Sequence, residues 1–329
     1  MGKVFAIIGI LLLALLGVTF TVTLHESSIR EEKKSELAMF RVAPDSVDRI
    51  VIDGPGDSQA RLRRQAGQWV LPGLGGFPAA SAEVEVALHR LLAIDRKLPV
   101  ESRPGLLEEL RLGDDNFARR VTLLQGDQVL ARVLLGSPQG PRHVHARIPG
   151  EDAAYAVAFG LFDAAPSDGE WIDKTALRQQ KQDITAIETA GLRLVPDAGG
   201  SGWRLENGGA EESLDPAAAA RLAEIVSELT IEKLLNAEEA DARRAVPLAR
   251  LTVTGPAGER IEYRLSKADL AEDYALDVSS RRESFGLSPY AARRLAEAAR
   301  RGALLYLPGT RHHATSSQSL PAESSVQHN

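Results

Sequence analysis

The stretches RLRRQAGQWVL at residues 61–71 and LVPDAGGSGWRL at residues 194–205 each set a tryptophan after a glycine-containing turn, Trp69 and Trp203, 134 positions apart. Outward from them the same spacing recurs on both sides. Upstream lies a short strand pattern, Val47 with Arg49-Ile50-Val51-Ile52 before the first and Ile184 with Ala186-Ile187 before the second. Asp48 and Asp183 precede their tryptophans by 21 and 20 positions, and Ser81 and Asp215 follow theirs by 12. Both of the latter are predicted helix N-caps. The chain is therefore read as an internal repeat with a period of about 130 residues.

The segments between these landmarks agree with that reading. After Ser81, the apolar residues Val84, Leu88, Leu91 and Leu92 fall at i, i+4, i+7 and i+8, one buried helical stripe. After Asp215, Pro216 takes the favoured first helical position, and Leu222, Ile225, Val226 and Leu229 form a second stripe. Hairpins are predicted at Arg120 to Leu135 around Gly126-Asp127, and at Leu251 to Leu265 around residues 255–259. In the latter, Ile261, Tyr263 and Leu265 share one face and Glu262 and Arg264 the other. His143 to Arg147 and Ala154 to Ala158 lead to Phe159-Gly160-Leu161, and Tyr274 to Val278 leads to Phe285-Gly286-Leu287. Ser288-Pro289 opens a helix expected to run to about Arg301, with Gly302 in the C′ role. In the first copy the chain instead passes through Pro166 and Gly169 to Trp171-Ile172-Asp173, the expected junction. Strands with segregated helices predict an α+β class with mainly antiparallel sheets and packed helices, in two tandem similar modules at residues 44–173 and 174–306.

The ends of the chain differ in kind from the modules. From Val4 to Leu24 there are 21 uncharged residues, VFAIIGILLLALLGVTFTVTL, after Met1, Gly2 and Lys3. As a helix this run spans roughly 30 Å, the hydrocarbon thickness of a bilayer, so it is expected to be an N-terminal transmembrane helix and to make the lipid bilayer a partner. A cleaved signal would call for a shorter apolar core and an A-x-A-like site, whereas the run ends Phe20-Thr21-Val22-Thr23-Leu24-His25-Glu26. Lys3 lies on one side and Arg30, Lys33 and Lys34 on the other, so charge alone does not orient the helix. The three residues before it and the long domain after it favour a cytoplasmic N-terminus, residues 1–3, with the bulk of the chain extracytoplasmic. Residues 25–43 read as a juxtamembrane stalk, helical and charged from Ser27 to Phe40, and residues 307–329, rich in Thr, Ser, Gln and His, as a disordered tail.

Composition narrows the chemistry. The 329 residues contain no cysteine, which excludes disulfides, Cys-ligated zinc or iron–sulfur centres and a thiol nucleophile. A formal net charge of -6 with acids and bases interspersed argues against a nucleic-acid partner.

One apolar N-terminal span, then tandem strand, Gly-x-Trp, helix and hairpin units, with Leu112-Gly113 before the first hairpin and Trp171-Ile172-Asp173 at the junction, resembles the domain-of-unknown-function 4340 family. The likeness takes in about residues 40–306, and rests on order and spacing. Leu110-Arg111-Leu112-Gly113 stands where the family pattern has an aromatic-Gly-Leu. The resemblance implies a bacterial inner-membrane, periplasmic-facing protein, accessory to a gliding-motility-type ABC transporter or another envelope assembly, with the permease as a partner. It implies no catalytic residues.

Candidate sites follow from residue type. His143 and His145, at i and i+2 on a predicted strand, point to one side and are the metal-ligand candidates, although a catalytic zinc requires a third ligand and a water. His312-His313 falls in the tail, and His89 at a helix boundary. Gly73-x-Gly75-Gly76 is flanked by Pro72 and Pro78, and the helix begins later, at Ser81, instead of opening on its last glycine as a dinucleotide loop needs, so it reads as a turn. Asp114-Asp115 and Glu238-Glu239 are adjacent acids read as solvated turns, and arginines 61, 63, 64, 293 and 294 as solvated faces. Trp69 and Trp203 are read as core landmarks, with stacking on a sugar as the alternative. No catalytic residue and no cofactor is expected. The functional expectation is a non-enzymatic, membrane-anchored binding or scaffolding protein; the alternatives are a saccharide- or lipid-binding module using a cleft between the modules and, last, a hydrolase.

Overall fold

A computed structural model describes residues 37–306 apart from 101, 102, 104, 198, 200, 201, 210 and 211. The expected membrane span at Val4 to Leu24, most of the stalk and the tail lie outside the described residues. Among the described residues no helix is long and apolar enough to cross a membrane. The chain divides into two compact units between Lys174 and Thr175.

In the first unit the strands are β1 (Arg49–Asp53), β2 (Gln59–Gln65), β3 (Gln68–Leu71) and β4 (Phe77–Pro78). Helix α1 (Ser81–Leu92) and the single turn α2 (Leu106–Glu109) follow, then β5 (Arg119–Gln125), β6 (Gln128–Gly140), β7 (His143–Arg147) and β8 (Ala154–Val157). They form one sheet in the order β4-β3-β2-β1-β5-β6-β7-β8, with antiparallel neighbours throughout. The chain meanders outward from β1, crosses back through α1, and meanders to the opposite edge from β5. Ala66 and Gly67 both hold positive φ, 50° and 81°, in the two-residue β2–β3 turn. Glycine costs nothing there, and the turn's hand matches the strand twist. Alternation sends Ile50 and Ile52, Leu62, and Val121 and Leu123 to one face, where Val84, Leu88 and Leu91 of α1 cover them around a small internal void. Each such side chain contributes about 1.5–3 kcal/mol on burial, which holds the crossover helix to the sheet.

The second unit repeats the plan with β9 (Ala186–Thr189), β10 (Leu192–Pro196), β11 (Trp203–Leu205), α3 (Pro216–Ser227), β12 (Lys233–Leu235), α4 (Ala237–Ala242), β13 (Val246–Thr254), β14 (Arg260–Lys267), β15 (Tyr274–Val278) and β16 (Ser284–Leu287). It closes with α5 (Pro289–Ala298) and the single turn α6 (Arg301–Leu304). Its sheet order is β11-β10-β9-β13-β14-β15-β16-β12. Seven strands correspond one to one between the units.

The eighth strand lies at opposite edges, β4 beyond β3 and β12 beyond β16. The counterpart of β12 in the first unit is reduced to an isolated bridge, Pro99 to Tyr155, flanked by Val100 N–H donating to Ala154 O and Ala156 N–H to Leu98 O. The end of each unit is tied to the start of its long helix in the same way. Ala80 N–H donates to Trp171 O and Asp215 N–H to Leu304 O, both at 2.8 Å. Asp173 N–H meets Pro78 O and Tyr306 N–H meets Ser213 O, both at 2.9 Å. The repeat thus extends to individual backbone hydrogen bonds.

Several local expectations change. Asp215 caps α3 by accepting from the N–H groups of Ala217 and Ala218, and Ser288 caps α5 through Ala291 N–H. Ser81, however, is the first residue of α1 rather than its cap; its hydroxyl accepts from Trp69 N–H at 3.0 Å, because the β3–β4 hairpin brings that strand back over it. The last helix stops at Ala298, and Gly302 lies inside α6 instead of closing α5, with Arg301 held by Ala190 O and Glu212. Phe285-Gly286-Leu287 is part of β16, whereas Phe159-Gly160-Leu161 lies past the end of β8 and enters a 3-10 turn. Packing also starts before Ala43: Ala38 bridges Asp95, and Met39 and Phe40 are buried.

Candidate functional site

The landmark tryptophans are packing residues in both units. Trp69 is 1% exposed; its indole N–H donates to the Glu85 carboxylate at 2.6 Å, and the Arg64 guanidinium, paired with the same carboxylate, lies over its ring at 4.9 Å. Trp203 is likewise buried in β11. Ala220 occupies the place in α3, five residues past the cap Asp215, that Glu85 holds past the cap position Ala80 in α1, so the polar half of the arrangement is confined to the first unit. Burial leaves neither ring open for stacking on a sugar.

His143 and His145 both lie on β7, but they do not form a pair of free ligands. His143 is exposed. His145 is buried, its Nε2 at 2.5 Å from the Gln139 side-chain amide nitrogen and its Nδ1 at 3.1 Å from Ser137 O. Irregularities in β6 between Leu135 and Pro138 and between Pro138 and Gly140 bring Ser137 and Gln139 against the ring. Among the described residues no group of three or more His, Asp and Glu is placed to hold a metal ion. Gly75 and Gly76, with φ of 68° and 83°, close a 3-10 turn before β4. Asp114 pairs with Arg147, and Glu239 completes a capping box with Asn236 at α4, so these acids serve local structure.

Two surfaces are built differently. One is the sheet face of the second unit that carries alternate residues of β9, β13, β14 and β15. Glu188 binds Arg193 and Arg260, Glu262 binds Arg250 and Arg264, and Asp277 binds Arg244 through two hydrogen bonds of 2.9 and 2.8 Å. The Arg260 guanidinium holds Glu188 below the usual carboxylate range, Arg264 does so for Glu262, and Arg244 with the Ser284 hydroxyl does so for Asp277. Beside this ladder a cleft of ≈ 630 Å³ opens around the bulge between Pro247 and Ala249, lined also by Arg244, Arg250, Arg264 and Ser266. The side chain of Ser266 is on the same strand face as Glu262 and Arg264, and its buried hydroxyl has no partner. The cleft offers guanidinium donors, with the Ser266 hydroxyl buried in its wall. Its carboxylate, Asp277, is held in the ionised form by Arg244 and already occupied by it, which suits binding of an oxygen-rich group to the other arginines and makes Asp277 a poor general base.

The Arg244–Asp277 pair gives a pH prediction. The carboxylate's pKa is depressed on folding, so its contribution is fully present above the unfolded value of about 3.9 and is lost as pH falls through the lower folded value. Urea midpoints of wild type and Asp277→Asn, measured from pH 6 down to pH 2 (roughly the range that brackets carboxylate titration), are expected to differ by a constant amount above that value and to converge below it. A gap that persists unchanged at the acid end contradicts the assignment.

The second surface is a groove of ≈ 480 Å³ in the first unit. Ala82, Glu83, Val86, Ala87 and Arg90 of α1 form one wall, and Phe162, Asp163, Glu170, Trp171 and Lys174 form the other. Val86 and Phe162 are 48% and 61% exposed, and Arg90 meets Asp163 at 2.8 Å. Neither surface was found from residue types. The sequence signal for the groove is Pro166 and Gly169, which stop the helix that the second unit forms after Ser288-Pro289; the cleft had none, because it opens at a bulge in β13 that no residue pattern marks.

The model of the domain of unknown function DUF4340 matches residues 69–246, more than half of the chain. The chain belongs to the DUF4340 family. The match runs from Trp69 in β3 to Val246 at the start of β13 and crosses the division at Lys174, so the DUF4340 pattern takes in parts of both units. No curated protein and no solved structure matches the chain.

Proposed function

We propose that this DUF4340 protein is a single-pass, membrane-anchored extracytoplasmic binding or scaffolding protein of the bacterial inner membrane, accessory to an ABC-type transporter or cell-envelope assembly and not an enzyme. The observation that carries the reading is the uncharged run from Val4 to Leu24, long enough for one bilayer crossing and followed by two units with open polar and apolar surfaces. The protein is expected to fractionate with membranes at full length and to resist alkaline carbonate extraction; a soluble, shortened product overturns the anchor. Crosslinking in native membranes is expected to recover permease or ATPase subunits, and recovery of neither while a control transporter survives overturns the scaffold. A second reading, an extracytoplasmic ligand-binding module, is favoured by the Ser266 cleft with its donors. A hydrolase ranks last, because the carboxylates nearest that cleft are held ionised by arginine.

A further inference from the structure

The two units share a sheet plan but cover their long helices differently. In the second unit α5 packs against α3, and α3 buries Ala218, Ala219, Leu222, Ala223 and Val226. In the first, residues 159–171 form 3-10 turns where α5 has its counterpart position in the chain, and α1 buries Val84, Leu88 and Leu91. The wider stripe on α3 is what a second helix adds. The narrower stripe on α1 leaves Val86 and Ala87 in the groove opposite Phe162.

We propose that this groove seats an amphipathic helix of a partner protein, laid between α1 and the segment around Phe162 and Glu170 that stands in the place of α5; the proposal rests on the scaffold reading and names its docking surface. The helix α1 lines the groove from Ala82 to Arg90, about 12 Å at a rise of about 1.5 Å per residue, so the seat fits about two turns of a partner helix. The stripe it requires is that of α5, where Ala292, Leu295 and Ala296 at i, i+3 and i+4 are buried. Charge sets the rest: Arg90 and Asp163 neutralise each other, leaving exposed Glu83 and Glu170 against Lys174, an excess of acid that basic residues flanking the stripe would meet.

The rest of this chain supplies no such segment. The run from Val4 to Leu24 has no charge, residues 25–36 hold one large aliphatic residue, Ile29, and residues 307–329 hold Leu307, Leu320 and Val326 without helical spacing. The occupant is therefore another protein.

The test places a photo-crosslinking amino acid at Val86 in the full-length protein in native membranes, with Val129, exposed on β6, as the comparison site. A single envelope protein is expected to crosslink from Val86 and not from Val129, with the adduct mapped to a segment of that apolar and basic pattern. With the crosslinker moved to Phe162, Val86→Arg is expected to lower the yield by about tenfold or more, because it puts a bulky cation against the apolar stripe and takes up the acids that the partner's basic flanks would meet. Val86→Ser, which removes apolar surface from an exposed position, is expected to lower it while leaving the thermal midpoint unchanged. Equal yields at Val86 and Val129, or adducts only with lipid or a second copy of this chain, overturn the proposal. Recovery of a transporter subunit from a crosslinker at Tyr290 but nothing from Val86 sinks the groove and leaves the scaffold reading; recovery from neither sinks both.

Discussion

Replacing Trp69 by alanine is expected to cost the first unit about 3–5 kcal/mol, the range for emptying a large aromatic site in a packed core. The indole is 1% exposed, packs under Arg64, and donates to Glu85, which links β2, β3 and α1 through one side chain. A loss of that size removes from about a fifth to all of the stability of a typical domain, about 5–15 kcal/mol. Trp69→Phe keeps most of the apolar volume and loses the hydrogen bond to a charged group, and is expected to cost about 2 kcal/mol. The chain's other tryptophans make the measurement specific: in a Trp203→Phe background, Trp171 reports urea unfolding of the first unit. A cost below about 1 kcal/mol for Trp69→Ala contradicts the core assignment.

Arg147→Met is expected to cost about 3 kcal/mol by urea denaturation, through polar groups and not through volume. The Arg147 side chain is 5% exposed and donates from Nε to Leu112 O at 2.7 Å, from Nη1 to Glu151 O at 2.9 Å and from Nη2 to Asp114 at 2.5 Å. Methionine fills similar space without a donor and leaves carbonyls unpaired inside the unit, which costs the full desolvation penalty. The ion pair itself is a minor part, because Asp114 is 68% exposed. Asp114→Asn is accordingly expected to cost less than about 1 kcal/mol, as exposed pairs do. Equal losses from the two substitutions would reverse this partition and make the ion pair the stabilising element.

The arginine's role also marks where reading the chain as a string stops. His143 to Arg147 alternates as a strand should, and β7 occupies those five residues. Yet Val144, His145, Ala146 and Arg147 are all buried, so alternation did not predict which polar side chains the strand buries. His145 is sealed by Ser137 and Gln139 from the irregular end of the neighbouring β6, and Arg147 by Glu151 just past β7 and by Leu112 from before β5, none of them on β7 itself. Ser81 shows the same limit. Its residue type suits a cap, but the hairpin returning over α1 gave its hydroxyl a different donor. Where the partner is local, as for Asp215 and Ser288 with N–H groups two or three residues on, the reading from sequence was sufficient.

The groove lies between these cases. Pro166 and Gly169 tell from sequence that the first unit forms no counterpart of α5. That this absence bares Val86 and Ala87 beside Phe162 is known only once α1 is laid on its sheet. The sequence by itself determined the repeat, the α+β class, the hairpins, the long helices with their core stripes and an apolar run suited to a bilayer, because periodicity, turn residues and caps act within a few positions along the chain. The tertiary structure decided the strand order, the opposite eighth strands, the burial of His145 and Arg147 and the uncovered face of α1, because burial is settled by which segments meet across a sheet, at a bulge or over a helix, and no local pattern encodes which of them will meet.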